Sequence, residues 1–363
     1  MNKSVLILFF LLLFFTISLV SDELFPIYGV KIYEKTDSVE KLFQEWNEIG
    51  INTVFASEDF MSSPDFQKHR KKSSIQFFLI SPVFYHPQHL KEHPEDYSID
   101  QNGNKAIDDW VHFVCPSRED YLKKRCEEIQ TNMKKMLPDG VSIDFIRHFV
   151  FWEMVSPEKT IDSLPNCCFC ENCLLKFQEK YSISIPDSLK TTSKKSQWIL
   201  KNHYQEWEKW KTELIIQAAK TVIDSVHSVN PSCFTDLHIV PWRKSDYSGG
   251  LTAIAGQDIK KLSELADFLS PMCYTHMLKR SGIWVNQLIS DHDSLSKIPI
   301  IPSIQAEKSY LNENFTLEEF QSALENALIP PSQGIIIWSW PALKSNPEKY
   351  NLFKNKIQKI RNQ

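Results

Sequence analysis

Short apolar runs alternate with amphipathic runs along this chain, and the alternation predicts its elements. Ile27 to Lys31 predicts a strand. Ser38 then caps a helix whose apolar face is Leu42, Phe43, Trp46 and Ile49, and Gly50 stops it. Asn52 to Ala56 and Gln76 to Ser81 predict the second and third strands, with a short polar helix between them near Pro64 to Lys72. A long loop runs from Pro82 to Pro116, turning at Asn102-Gly103-Asn104. Ser117 and Asp120 resemble a capping box for the helix carrying Leu122, Cys126, Ile129, Met133 and Met136.

Val141 to Ile146 predicts a fourth strand, followed by a long irregular insertion from His148 to about Gln197. Trp207, Trp210, Leu214, Ala218, Val222 and Val226 then mark a strong helix. Cys233 to Val240, Phe268 to Cys273, Ile298 to Ile304 and Gly334 to Trp338 predict strands five to eight. Helices are expected around Ile259 to Leu265, Ile283 to Ile289, behind a Thr316/Glu319 capping box, and from Pro347 onward. Runs such as Ile298-Pro299-Ile300-Ile301 and Ile335-Ile336-Ile337 are apolar on both faces, as a buried parallel sheet requires. Eight strand–helix units in sequence predict an α/β chain closed as a (β/α)8 TIM barrel, with long loops after strands three and four.

The first residues have a different character. Val5 to Val20 is almost unbroken Leu, Phe, Ile and Val behind Lys3, and Ser21, Asp22 and Glu23 follow. That pattern predicts a signal peptide over 1–21, a single catalytic barrel domain over 22–363, and a secreted product free of the membrane once the leader is cut. Asn314-Phe315-Thr316 is a glycosylation sequon consistent with export. The net charge of -4 gives no basic field for nucleic acid, and no glycine-rich loop follows a strand to cradle a nucleotide phosphate.

In such a barrel the chemistry sits on the loops after the strands. Asp144 ends the fourth strand between apolar residues, beside Arg147. The fifth strand offers Asp236 and His238 on one face, the sixth ends at Tyr274, the seventh at Gln305 and Glu307, the eighth at Trp338. Aromatic residues are 12% of the chain, which suits stacking on pyranose faces. Two acids, hydrogen-bonding groups and rings around one rim suit glycoside hydrolysis, which uses two carboxyl groups flanking the scissile bond. Asp144 and Glu307 form the expected catalytic pair, with Asp236 and Glu153 competing for the second place. Arg147, Asp236, His238, Tyr274, Gln305 and Trp338 are the expected substrate-binding residues. Arg147 is expected to hold Asp144 ionised.

There are eight cysteines. Cys167, Cys168, Cys170 and Cys173 cluster, and the Cys170-x-x-Cys173 spacing is a zinc-knuckle element. In an exported chain disulfides are the first expectation, with some partners drawn from Cys115, Cys126, Cys233 or Cys273, and a structural zinc the second, either one stapling the loop after strand four. No other cofactor is expected.

Asp139-Gly140-Val141-Ser142-Ile143-Asp144-Phe145-Ile146-Arg147 resembles the D-G-I-x-x-D-Y-I-R fourth strand of a family of glycoside-hydrolase-like (β/α)8 barrels. Ser270-Pro271-Met272-Cys273-Tyr274 is similar to their S-P-M-x-Y sixth strand, Pro302 to Gln305 to their P-W-L-Q seventh, and Gly334 to Trp338 to their closing strand. The Asn102-Gly103 turn, Trp110 and Cys115-Pro116-Ser117 resemble their substrate loop. The resemblance implies carbohydrate substrates, Asp144 as catalytic residue, and Arg147, Tyr274 and Gln305 in the site. The chain departs from the pattern at His148 and Ser303. Two rivals remain open: a carbohydrate-binding barrel that lacks a second carboxylate, and a metal-dependent hydrolase using Asp236, His238 and His276.

Overall fold

A computed structural model describes residues 26–362; the expected leader at 1–21 lies outside them. Eight parallel strands alternate with helices: β1 Ile27–Ile32, β2 Thr53–Ala56, β3 Gln76–Pro82, β4 Gly140–Asp144, β5 Phe234–Ile239, β6 Phe268–Pro271, β7 Ser303–Gln305 and β8 Gly334–Trp338. Their order is β6-β5-β4-β3-β2-β1-β8-β7. Bridges from Leu269 to Ile300 and from Met272 to Ser303 bring β6 against the β7 segment and close the ring. The fold is the expected (β/α)8 barrel. β7 is shorter than the run Ile298 to Ile304 because Pro299 and Pro302 supply no N–H to the ladder. No helix among the described residues is long and apolar enough to cross a membrane.

Alternate residues of each strand point into the lumen. At its lower end Ile27, Phe55, Phe78, Phe268, Ile301 and Ile336 pack as a separate apolar cluster. The Asp-Gly that opens β4 is dictated by this packing. A Cβ on Gly140 would lie 2.2 Å from Phe78 Cε1, so only glycine lets that ring fill the lumen. Asp139, just before it, accepts from Phe77 N at 2.8 Å and pairs with Arg70 at 3.1 Å, locking β3 to β4. With the lower lumen filled by rings, the polar inward residues Lys31, Ser142, Asp144, Asp236, His238 and Ser270 collect at the upper, C-terminal end.

Helix boundaries follow the expected caps in two places. Ser38 and Gly50 bound Val39–Ile49, and Thr316 with Glu319 forms a complete capping box for Leu317–Ala327. The Ser117/Asp120 box does not form. Arg118 occupies the N-cap of Glu119–Met136 without a side-chain bond, because the Ser117 hydroxyl is turned toward sulfur. The insertion after β4 is more regular than its sequence suggests: it holds helices Glu171–Tyr181, capped by Cys170, and Thr192–Asn202. The loop after β3 holds the helix Pro87–Glu92 and a short hairpin of Ile107–Asp108 with Val111–His112, which carries Trp110 at its tip.

Candidate active site

A cavity of about 440 Å³ opens at the C-terminal end of the barrel, within the usual range for small-molecule sites. Asp144 and Glu153 bring carboxyl groups to its lining, and Lys31 and Arg147 bring cations. Its walls are aromatic. Tyr85 stacks on Phe145 with centroids 4.9 Å apart, and Tyr274 stacks on Trp338 at 4.6 Å. Trp152 packs against Tyr274 at 5.7 Å. Over the mouth, Trp110 Nε1 donates to the Tyr310 hydroxyl at 2.6 Å. Trp110 follows β3 and Tyr310 follows β7, four strands apart in either direction around the ring. This bond therefore bridges the mouth along a diameter.

Asp144 ends β4 with its side chain 13% exposed. Its Oδ2 lies 3.0 Å from His238 Nδ1, and its Oδ1 accepts from Phe145 N at 2.7 Å. Phe145 takes a left-handed φ of 52°, which turns the chain outward just after the carboxylate. Burial alone would raise the Asp144 pKa, but the His238 contact, the Lys31 charge and the Phe145 amide outweigh it and hold the carboxyl at about 2. Arg147 has a different task from the one its adjacency suggests. It is buried, donates to Val150 O at 2.7 Å and His148 O at 3.2 Å, and lies 4.7 Å over the Phe113 ring. It shapes the loop that carries Glu153.

Glu153 sits in the short 3-10 turn Trp152–Met154, buried, with Oε2 lacking any hydrogen-bond partner. Burial pushes its pKa up to about 7, against the lowering charge of Arg147 and with a further push from Asp144 and Asp108. The two carboxyls of the cavity thus titrate in opposite directions.

The structure redistributes the other expected residues. Tyr274 and Trp338 line the cavity as rings. Glu307 does not: β7 ends at Gln305, the chain turns away, and Glu307 is exposed to solvent outside the lining. Gln305 is also absent from the lining. Its Oε1 accepts from Met277 N at 3.0 Å and its Nε2 donates to Glu307 O at 2.8 Å, so its amide is spent on joining two loops. Asp236 and His238 lie under Asp144 and do not face the cavity space. His276 is held apart, with Nε2 3.1 Å from Glu313 O, so the metal-hydrolase set of Asp236, His238 and His276 does not assemble. Lys31 was missed, although a lone lysine in the apolar run Ile27–Ile32 was its signal. Tyr85 and Tyr310 carried none, because their placement depends on loop paths.

The cysteines also regroup. All eight are free and buried. Cys115, from the loop after β3, takes the place expected for Cys167 and joins Cys168, Cys170 and Cys173, with all four sulfurs within 4.8 Å of one another. Cys115 Sγ lies 3.5 Å from Cys170 Sγ and 3.4 Å from Cys173 Sγ, well beyond the S–S bond length of about 2.05 Å. The disulfide expectation is therefore replaced by a four-sulfur cage. Backbone amides point at its sulfurs, Ile99 N at 3.3 Å and Cys170 N at 3.4 Å from Cys168 Sγ, and Cys173 N at 3.5 Å from Cys170 Sγ. Amide donors of this kind stabilise thiolates around a metal. The cage ties the loop bearing Trp110 to the loop bearing Glu153.

No family model and no curated protein sequence matches this chain. Solved structures do. The PgaB (BpsB) glycoside hydrolase domain from Bordetella bronchiseptica superposes with a TM-score of 0.66 at 11% identity, over 90% of this chain and 98% of that one. The β-galactosidase from the psychrophilic Marinomonas ef1 gives 0.68 at 12% identity, over 92% of this chain and 59% of that one. The β-galactosidase from Bacillus circulans sp. alkalophilus gives 0.68 at 12%, over 94% and 57%. The chain thus spans little more than half the length of these β-galactosidases. At such identities the likeness establishes the fold.

Proposed function

We propose that this protein hydrolyses O-glycosidic bonds of an oligo- or polysaccharide. Asp144 serves as the ionised carboxylate, nucleophile or base, and Glu153 as the general acid. The observation that carries the reading is the pair itself: two carboxyl groups in one cavity, one held at about 2 and the other raised to about 7. Neighbouring acids whose environments push their pKa values apart are suited to opposite roles at neutral pH. The second acid argues against a binding-only barrel. The flat rings of Trp338, Tyr274, Tyr85 and Trp110 suit pyranose faces, and the solved glycoside hydrolases with this fold support the substrate class. An aryl-glycoside panel, assayed with the wild type, Asp144→Asn and Glu153→Gln, tests it. At least one substrate should be cleaved, with each variant losing about 10²-fold or more in kcat. Failure of every glycoside, or full activity in either variant, contradicts the proposal.

We also propose that Cys115, Cys168, Cys170 and Cys173 hold a structural zinc. Four buried thiol sulfurs from two loops, with amide donors behind them, match a closed tetrahedral site with no position left for substrate. Export, inferred from the apolar leader, makes this more pointed: thiols this close in an oxidising compartment persist when a metal holds them.

A further inference from the structure

Lys31 and Arg147 bring cations to the cavity, and both are almost wholly buried, at 1% and 2% exposure. Among the described residues neither forms an ion pair, and the Lys31 ammonium has no hydrogen-bond partner. Arg147 directs one nitrogen, Nη1, at the carbonyls of His148 and Val150, and its Nη2 and Nε bond to none of the described residues. Taking a cation out of water is costly unless an anion or hydrogen-bond acceptors replace that water.

The neighbouring acids do not meet this need. Asp144 and Asp236 attract Lys31, yet burial outweighs both and lowers its pKa. Burial likewise outweighs the pull of Glu153 and Asp144 on Arg147. Asp236 lies outside the cavity lining and accepts from the Ser142 and Ser270 hydroxyls at 2.6 and 2.9 Å. Below a pH of about 7 Glu153 is protonated. The lining then carries two positive charges against the single negative charge of Asp144, so one positive charge is in excess.

We propose that the sugar held against Asp144 and Glu153 is acidic: a uronate, whose carboxylate contacts Lys31 and whose charge Arg147 also favours. The proposal deepens the glycosidase reading and rests on it for the place of the sugar. A neutral hydroxyl can accept from the ammonium but brings no charge. A carboxylate does both, and such charge-assisted bonds are the stronger kind. Its single charge matches the excess. Set on the edge of the ring, it leaves the pyranose faces free to stack on Tyr274 and Trp338.

Binding can be read without turnover, from thermal unfolding of the full chain at about pH 6 over a ligand titration, since a ligand that binds the folded state raises the unfolding temperature by mass action. The probes are D-glucuronate and D-galacturonate, each beside its parent hexose and that hexose's sulfate ester at equal ionic strength. At least one uronate should bind about tenfold or more tighter than its parent hexose, as a hydrogen bond to a charged group allows. Lys31→Met should lose about tenfold of that affinity, and Lys31→Arg should keep most of it. Equal or tighter binding of the parent hexose, preference for the sulfate, binding of none of the probes, or full uronate affinity in Lys31→Met overturns the proposal. The wild-type comparison decides even if a variant fails to fold. Uronates that bind while no aryl glycoside or aryl uronide is cleaved end the glycosidase reading and leave the acidic-ligand site standing. Aryl glycosides of neutral sugars cleaved in preference to uronides end the acidic-sugar proposal alone.

Discussion

Glu153 and Arg147 leave β4 on the same loop, and the Arg147 charge opposes, without cancelling, the burial that lifts Glu153 to about 7. The guanidinium is committed to the carbonyls of His148 and Val150, so it holds the loop in place without pairing tightly to the acid. A carboxyl close to a fixed cation yet still raised is one that can be protonated at neutral pH.

This makes Glu153 costly to the fold when it ionises. Its folded pKa lies above the ordinary value of 4.5, so stability is fully present below about 4.5 and falls as pH rises through about 7. At roughly 1.4 kcal/mol per pKa unit the loss approaches about 3 kcal/mol. Glu153→Gln removes the penalty. Thermal unfolding should therefore show the variant gaining stability over wild type at pH 9 and little or none at pH 4. An equal effect at both pH values contradicts the burial of this carboxyl.

The bridge between Trp110 and Tyr310 predicts an effect on binding, because neither residue supplies a carboxyl group to the cavity. Trp110→Ala removes a stacking face worth about 0.5–1.5 kcal/mol, and KM should rise roughly two- to twelvefold with kcat nearly unchanged. Tyr310→Phe deletes only the bonded hydroxyl and should have a smaller effect in the same direction. A loss confined to kcat contradicts this placement.

Purified protein should contain about one zinc per chain. Cys170→Ser should abolish its retention and lower the unfolding temperature. Chelation should act on stability first, since the four cysteines are buried and none of them lines the cavity. Elemental analysis alongside thermal unfolding checks this; a metal-free protein of unaltered stability contradicts it.

Gly140→Ala should destabilise the fold by about 1–3 kcal/mol, the usual effect of overpacking a filled core, because the new methyl meets the Phe78 ring. Denaturant unfolding reads this directly.

The barrel was legible in the sequence because each strand carries its own apolar run and each helix its own stripe. The Asp139-Gly140…Asp144 stretch encodes a strand lock, a packing gap and a site carboxylate in six residues. Tyr274 and Trp338 were legible as strand-end rings. The choice between Glu307 and its competitors Asp236 and Glu153 as the second cavity carboxyl was not. Glu307 continues the inward alternation of Ser303 and Gln305, but the strand stops before it, and no periodicity marks that stop. Glu153 lies nine residues past its strand, in a loop whose path is set by Arg147 and the sulfur cage. Cys115 could not be singled out from Cys126, Cys233 and Cys273 as the cluster's partner because it lies more than fifty residues from Cys168, and only the docking of the loop after β3 on the loop after β4 joins them.

The pH dependence of kcat/KM on a cleaved glycoside tests the pairing of Asp144 with Glu153 most directly, since it reports ionisations in the free enzyme. Activity should hold from pH 4 to 6, fall above about 7 as Glu153 loses its proton, and fall on the acid side only as pH approaches about 2. Glu153→Gln should abolish the alkaline limb in whatever activity remains. An alkaline limb that survives in Glu153→Gln, or an acid limb near pH 5, contradicts the assignment.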